Sequence, residues 1–442
     1  MDKINIGLIS LGCAKNRTDA EIMLGLVAEE GYNIVYDPQK SDAIIINTCA
    51  FIESAKQESI DTILEMAEYK NSRCKALIVT GCLAERYAEE ILIEIPEVDA
   101  VVGTGDFDRI CEIINKAFLG EKPVLFGNNN HTPDDHLPRL LSTPPYSAYL
   151  KIADGCDNNC TYCAIPKIRG HFRSRPKENI IEEAIKLAKS GVKEIILIAQ
   201  DTTRYGIDIY GKKCLDELLE ELVKIDGIKW IRLHYLYPEA ITYELIDTIA
   251  KHDKICNYFD IPVQHANNEI LRRMARRTNR EEMEKKISYI REKMPDAVIR
   301  TSIIVGFPGE TEEQFEELMD FTEKIRFDRM GAFTYSQEED TPAASFDGQI
   351  DEEIKEQRLD RLMTLQQGIS LDLNRKKIGT VLDVIVEGYD EDCFLFFGRS
   401  RGDSIDVDST VYFGTEDEVE AGDIVRVEIL DADEYDVTGQ TV

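Results

Sequence analysis

The sequence predicts an α/β protein in three parts: an N-terminal domain built on a parallel sheet, a partial (β/α)6 barrel, and a small C-terminal β-barrel. Three observations lead there. Short apolar runs alternate with helical stretches over residues 1–125, as in successive βαβ units. Six further strand candidates, separated by helical stretches, follow over residues 146–372. Over residues 373–442 the helical period is lost, and short β-rich runs are separated by Gly and Asp turns. The segment 126–145, rich in Pro, Asn and Asp, reads as a linker. At 442 residues the chain is long enough for each part to bury a core.

In the first part, strands are expected at Ile4–Ser10, Ala43–Asn47, Ala76–Thr80 and Ala100–Val102, with helices near Thr18–Glu30, Glu53–Glu68 and Glu85–Leu92. Each of the first three strands runs into a cysteine: Cys13, Cys49 and Cys82. The C-terminal strand ends of an open parallel sheet line one edge, so these thiols become neighbours beside helix N-termini that favour thiolate. They are expected to form a three-cysteine iron–sulfur site. Small cysteines also pack well at strand ends, which explains one of them readily but the repeated placement poorly. Cys74, Cys111, Cys214, Cys256 and Cys393 lack that placement and are expected to be ordinary buried thiols. His131 and His136 in the linker could ligate metal, although lone histidines in a polar linker are usually solvated.

The second part opens with a strand at Ala148–Ala153, followed by Cys156, Cys160 and Cys163 in a C-x3-C-x2-C pattern on a Gly- and Asn-rich loop. Three thiolates at this spacing can converge on one soft metal centre, and three ligands on a four-iron cube leave one iron open. Zinc usually takes four ligands, and a redox pair at Cys160 and Cys163 would leave Cys156 unexplained. The remaining strands are expected at Glu194–Ala199, Trp230–Tyr235, Tyr258–Val263, Val298–Gly306 and Met330–Tyr335. Chemistry in such a barrel gathers at the C-terminal strand ends. These ends carry Gln200 to Arg204, Gln264-His265, Gly306-Phe-Pro-Gly-Glu310 and Tyr335-Ser-Gln337, and the fifth strand carries Arg300 and Ser302. Two basic clusters, Lys167 to Lys177 and Arg272 to Arg277, could hold a carboxylate; the second could equally be a solvated helix face.

The third part is expected to form five strands, at Val381–Val386, Cys393–Phe397, Ser404–Val407, Val411–Phe413 and Ile424–Ile429. Residues 374–442 hold six Lys or Arg against eighteen Asp or Glu, a net charge of −12, and the whole chain carries −32. Such fields repel polyanions and argue against a large RNA or DNA surface, although an acidic surface can also serve solubility alone. Eleven cysteines are too sparse for a disulfide scaffold. No apolar run approaches membrane-spanning length, and a cytoplasmic protein is expected.

These parts, in this order, resemble the radical S-adenosylmethionine (SAM) methylthiotransferases over essentially the whole length. The resemblance rests on C-x3-C-x2-C, Ser10-Leu-Gly-Cys13-Ala-Lys-Asn16, Asn47-Thr-Cys49-Ala-Phe, Thr80-Gly-Cys82-Leu and Gly306-Phe-Pro-Gly-Glu-Thr311. Gly12-Cys-Ala-Lys-Asn16 and Phe51-Ile-Glu-Ser-Ala-Lys56 are similar to the branch that modifies an aspartate of ribosomal protein S-twelve. The tRNA-adenosine branch, the runner-up, typically has Gly-Cys-Gln-Met-Asn at the first cysteine. The resemblance implies two 4Fe–4S clusters, one on Cys156, Cys160 and Cys163 that cleaves SAM to a radical, and one on Cys13, Cys49 and Cys82 that carries the transferred sulfur. It implies a TRAM domain at the C-terminus, a reducing electron donor, and Gln200, Arg300 and Gly306 as SAM contacts. No catalytic side chain beyond the clusters is implied.

Overall fold

The computed structural model describes residues 3–442. Its N-terminal sheet has six strands: β1 (Asn5–Ser10), β2 (Asn33–Ile34), β3 (Ala43–Thr48), β4 (Ala76–Gly81), β5 (Ala100–Val102) and β6 (Val124–Leu125). They lie in the order β2-β1-β3-β4-β5-β6, every pair parallel. The Ile- and Val-rich β3 and β4 are buried at every residue, because helices cover both faces of the sheet. The edge strands β2 and β6, two residues each, are too short to show a sequence period. Helices α1 (Ala14–Glu29), α2 (Glu53–Ala67) and α3 (Cys82–Glu94) follow β1, β3 and β4. Two of them begin earlier than their apolar pattern suggests, α1 directly after Cys13 and α3 at Cys82, so the cysteine turns are as short as the chain allows.

The second part contains β7 (Ser147–Lys151), β8 (Ala153–Asp154), β9 (Arg173–Ser174), β10 (Glu194–Ile198), β11 (Trp230–Leu233), β12 (Tyr258–Asp260), β13 (Val298–Val305) and β14 (Arg329–Thr334). Two parallel sheets, β7-β10-β11 and β12-β13-β14, meet through a parallel bridge between Ile231 and Ile255 and form the partial barrel. The short antiparallel pair of β8 and β9 sits at the two ends of the cysteine loop. Residues 299, 301, 303 and 305 of β13 are buried, whereas 300, 302 and 304 keep partial access to solvent, as expected for a strand with one face on the helices and one in the lumen.

The third part is a closed barrel in the order β15-β16-β17-β19-β18, with β15 (Val381–Asp390), β16 (Leu395–Ser400), β17 (Val411–Gly414), β18 (Ile424–Ala432) and β19 (Val437–Thr441). One expectation is corrected here. Ser404–Val407 is not a strand; the barrel closes instead with β19. The alternation of Ile405 and Val407 mimics a strand, but Ile405 is buried in the lumen of the second part, against Tyr149, Ile196 and Ile198.

Residues 401–409 form a plug. Arg399 and Arg232 both pair with the buried Glu194, at 2.8 and 3.0 Å. Arg329 meets Asp403 at 2.6 Å, Ser404 Oγ lies 2.7 Å from His234 Nε2, Tyr258 donates to Asp408 at 2.6 Å, and Arg17 of α1 reaches Asp406 at 2.7 Å. Burial pushes the His234 imidazole down to about 3, despite the pull of Asp260 and with Arg300, Arg232 and Lys15 adding to it. Burial pushes Glu194 up, but Arg399 and Arg232 prevail and bring it to about 2.

Both shifts make the plug acid-sensitive. The unfolded chain protonates His234 below about 6.5 and Glu194 below about 4.5 while the folded chain resists, so stability falls as pH drops, through His234 first. Protection factors against amide exchange in residues 378–442, each normalised to the intrinsic rate at that pH, are expected to fall progressively below about pH 6.5. His234→Gln, which keeps a hydrogen-bonding group without titrating there, should hold the protection factors flat down to about pH 4.5. Equal acid onset in both proteins would assign the sensitivity to other groups.

Candidate active site

Cys13, Cys49 and Cys82 leave the ends of β1, β3 and β4 and come together, as the sheet order requires. Cys13 is the N-cap of α1 and Cys82 opens α3. The approach depends on two glycines with positive φ. A Cβ on Gly12 (φ 85) would meet Cys49 Cβ at 2.8 Å and its sulfur at 3.0 Å, and a Cβ on Gly81 (φ 93) would meet Asn47 Oδ1 at 2.4 Å. Ser59 of α2 clamps the Cys49 backbone, accepting from its N–H and donating to its C=O.

Asn16 is the hub beside this triad, with no exposed surface. Its amide donates to the carbonyls of Leu11 and Thr48, and its oxygen accepts from Arg169 at 2.5 Å and lies 3.5 Å from Cys82 Sγ. Arg169 belongs to the second part. It also bonds Asp19 at 2.6 Å and Asp154 at 3.2 Å, and Lys151 bonds the same two carboxylates at 2.6 and 3.1 Å. Burial pushes the Asp154 carboxyl up, but Lys151 and Arg169 overcome it and hold the group far below its usual range. Cys13, Asn16 and Asp19 recur at spacing three on one helix, a signal in the sequence for a shared functional face.

Cys156, Cys160 and Cys163 form the second triad. The loop is closed by the Cys156 N–H bonding the Gly170 carbonyl at 3.0 Å, and it is tied down by Asn158, which bridges Asp201 and Arg204 beyond β10. Tyr237, beyond β11, places its hydroxyl 2.9 Å from Cys160 Sγ, and the Arg276 guanidinium stacks 3.9 Å above the Tyr237 ring. No motif marks Tyr237 in the sequence.

The other candidates divide. Gln200 donates to Asp154 at 2.8 Å and keeps its buried Oε1 without a partner. Arg300 pairs with Asp260 and, across the plug, with Asp408. The Gly306 N–H bonds the Glu310 carboxylate at 2.7 Å, and a Cβ there would strike Lys355. The basic clusters are not free anion sites as a whole: Arg169, Arg175, Lys177 and Arg276 are paired with Asp19, Asp135, Glu217 and Glu239. His131 bonds Asp108 rather than a metal site, and His136 lies apart from both triads in the linker. Of the five other cysteines, Cys74, Cys214 and Cys256 are buried as expected, whereas Cys111 is half-buried and Cys393 exposed on the turn before β16.

Comparison with known proteins agrees with this geometry. Residues 150–322 match the radical SAM superfamily, residues 5–103 the uncharacterized protein family UPF0004, and residues 378–442 the TRAM domain. The chain is 55% identical over 440 residues to the ribosomal protein uS12 methylthiotransferase RimO of Clostridioides difficile (strain 630), covering 99% of both chains. It is 51% identical over 441 residues to the protein of that name from Pelotomaculum thermopropionicum, again covering 99% of each. The chain belongs to the RimO-type radical SAM methylthiotransferases. Its fold is shared with the radical SAM methyltransferase TsrM of Kitasatospora setae, at a TM-score of 0.59 and 13% identity over 87% of this chain and 81% of that one.

The cofactors of a RimO-type enzyme are SAM and 4Fe–4S clusters, and both triads fit such clusters chemically. All six donors are soft sulfurs; Cys82 feels the charge of both Cys49 and Cys13, and Cys163 that of both Cys160 and Cys156. Burial pushes Cys82 up to about 12 and Cys156 up to about 11, so ligation must displace their protons. Cys13 keeps an exposed face; surrounding protein pushes its thiol up, but Lys15 and Arg169 pull it below its ordinary value.

Arg169→Met leaves Lys151 as the one cation paired with Asp19 and Asp154 among the described residues. We expect a loss of about 3–5 kcal/mol in chemical denaturation and a smaller loss for Arg169→Lys, which keeps the charge but not the fork. Equal stability of Arg169→Met and the parent would show that the network does not hold the two parts together.

Proposed function

We propose that this enzyme attaches a methylthio group to the β-carbon of an aspartate in ribosomal protein uS12. The observation that carries the reading is the joining of two cysteine triads by one buried network, in a chain 55% identical over its length to a protein named for that activity. When bound, the clusters and SAM supply a hydrogen-abstracting radical together with the sulfur and methyl group. Cys156, Cys160 and Cys163 hold the SAM-cleaving cluster, with Tyr237 directing its hydroxyl at the Cys160 sulfur. Cys13, Cys49 and Cys82 hold the sulfur-bearing one. Of the proposed SAM contacts, Gln200 retains a free buried acceptor, while Arg300 and Gly306 act through groups already engaged by Asp260 and Glu310.

The domains divide as 1–125, 146–372 and 373–442 around the linker 126–145. The terminal barrel presents exposed acids, among them Glu391, Asp392, Glu416, Asp417, Glu418 and Glu420, which suit a lysine- and arginine-rich protein better than RNA. A reductant feeds the SAM-cleaving cluster, and the site of action is the cytoplasm, where ribosomes are made. Among the described residues no helix is long and apolar enough to cross a membrane.

Anaerobic incubation of the reconstituted enzyme with SAM, a reductant and uS12 or tRNA tests this. A methylthio mass gain is expected on the protein; a gain on tRNA alone would sink the reading. Cys13→Ala should still cleave SAM but transfer no sulfur, whereas Cys160→Ala should do neither. Sulfur transfer by Cys13→Ala would show that the first triad does not carry the sulfur.

A further inference from the structure

Lys15 is buried, with 7% of its surface exposed, and among the described residues no carboxylate lies within ion-pair distance of its ammonium. Its Nζ lies 3.3 Å from the centre of the Tyr235 ring. Other cations of the interior are matched: Lys151 and Arg169 by Asp19 and Asp154, Arg232 by Glu194, Arg300 by Asp260. An ammonium withdrawn from water with no carboxylate beside it is costly, and a carboxylate brought in from outside would relieve that cost.

Its position says which anion. Lys15 lies two residues beyond Cys13, and Tyr235 lies two residues before Tyr237, whose hydroxyl touches the Cys160 sulfur. Lys15 therefore stands at the seam between the two triads. Tyr235 is held there in the left-handed region (φ 59), its N–H on Asp260 and its carbonyl accepting from the Thr202 N–H. A substrate modified at this seam must bring its reacting carbon between the triads. In an aspartyl side chain that carbon is bonded directly to a carboxylate.

We propose that Lys15 binds the carboxylate of the substrate aspartate and sets the preference for aspartyl over asparaginyl side chains. This rests on the aspartyl methylthiotransferase reading above. The ammonium donates charge-assisted hydrogen bonds to the carboxylate, orients the β-carbon, and leaves the Tyr235 ring as the floor of the subsite. Lys15 is a positioning and specificity residue, distinct from the six cluster ligands.

The test uses full-length enzyme with both clusters reconstituted, a peptide spanning the modified aspartate of uS12, and the same peptide with Asn at that position. Binding is read by fluorescence anisotropy, and iron and sulfide content reports cluster assembly. The parent should bind the Asp peptide about tenfold more tightly than the Asn peptide. Lys15→Gln should bring the two within about twofold, and Lys15→Arg should retain part of the preference. Undiminished preference in Lys15→Gln, while the parent modifies the Asp peptide, would overturn the assignment of Lys15 alone. Loss of iron from Lys15→Gln, with the preference kept by Lys15→Met that assembles fully, would mean that the lysine only offsets cluster charge. A parent that modifies tRNA and neither uS12 nor its peptide would overturn the functional reading and this inference with it.

Discussion

The architecture depends on one buried ionic network. Arg169 and Lys151 from the barrel share Asp19 from α1 and Asp154 from their own loop, and Arg169 reaches through to Asn16 beside Cys82. Each of these charges alone would be expensive to bury; together they satisfy one another, and low polarity around them strengthens every pair. The consequence is geometric. One of the direct links between the two separately folded sheets is also the arm that ties the first cysteine triad to the barrel.

A second set of ion pairs does the same at the opposite end. The plug at residues 401–409 threads from Arg401, bonded to the carbonyls of Asp253 and Ile255, up to Ile405 and Asp406, which touch Tyr149 and Arg17. The terminal domain is thus part of the barrel interior as well as an appendage to it. Its acids accordingly divide in two. Asp403, Asp406 and Asp408 face arginines and tyrosines of the other two parts, whereas those on its outer turns face solvent and create the field that a basic partner would meet.

Much of this was legible in the chain. The strand periods placed the central strands of each sheet, and the recurrence of cysteine at three successive strand ends placed the first triad, because parallel order alone brings those ends together. Misreadings share one cause. Ser404–Val407 has the alternation of a strand because its apolar residue is buried, but the surface that buries it lies in another domain. The basic residues around Arg169 and Arg276 read as anion ligands because their partners, Asp19 and Glu239, are remote: Asp19 lies 150 residues from Arg169. The edge strands β2 and β6 escaped because two residues carry no period.

The sequence by itself determined the candidate ligands: thiol chemistry belongs to the residue, and its local presentation depends on a strand end, a glycine such as Gly12 or Gly81, and a helix start, all written within a few residues. Only the tertiary structure decided which charges are spent and which remain free. Arg300 is engaged by Asp260 and Asp408, Arg169 by Asp19 and Asp154, and Lys15, among the described residues, has no carboxylate within ion-pair distance. Pairing depends on distances of a few ångströms between residues far apart in the chain, and only packing sets those distances.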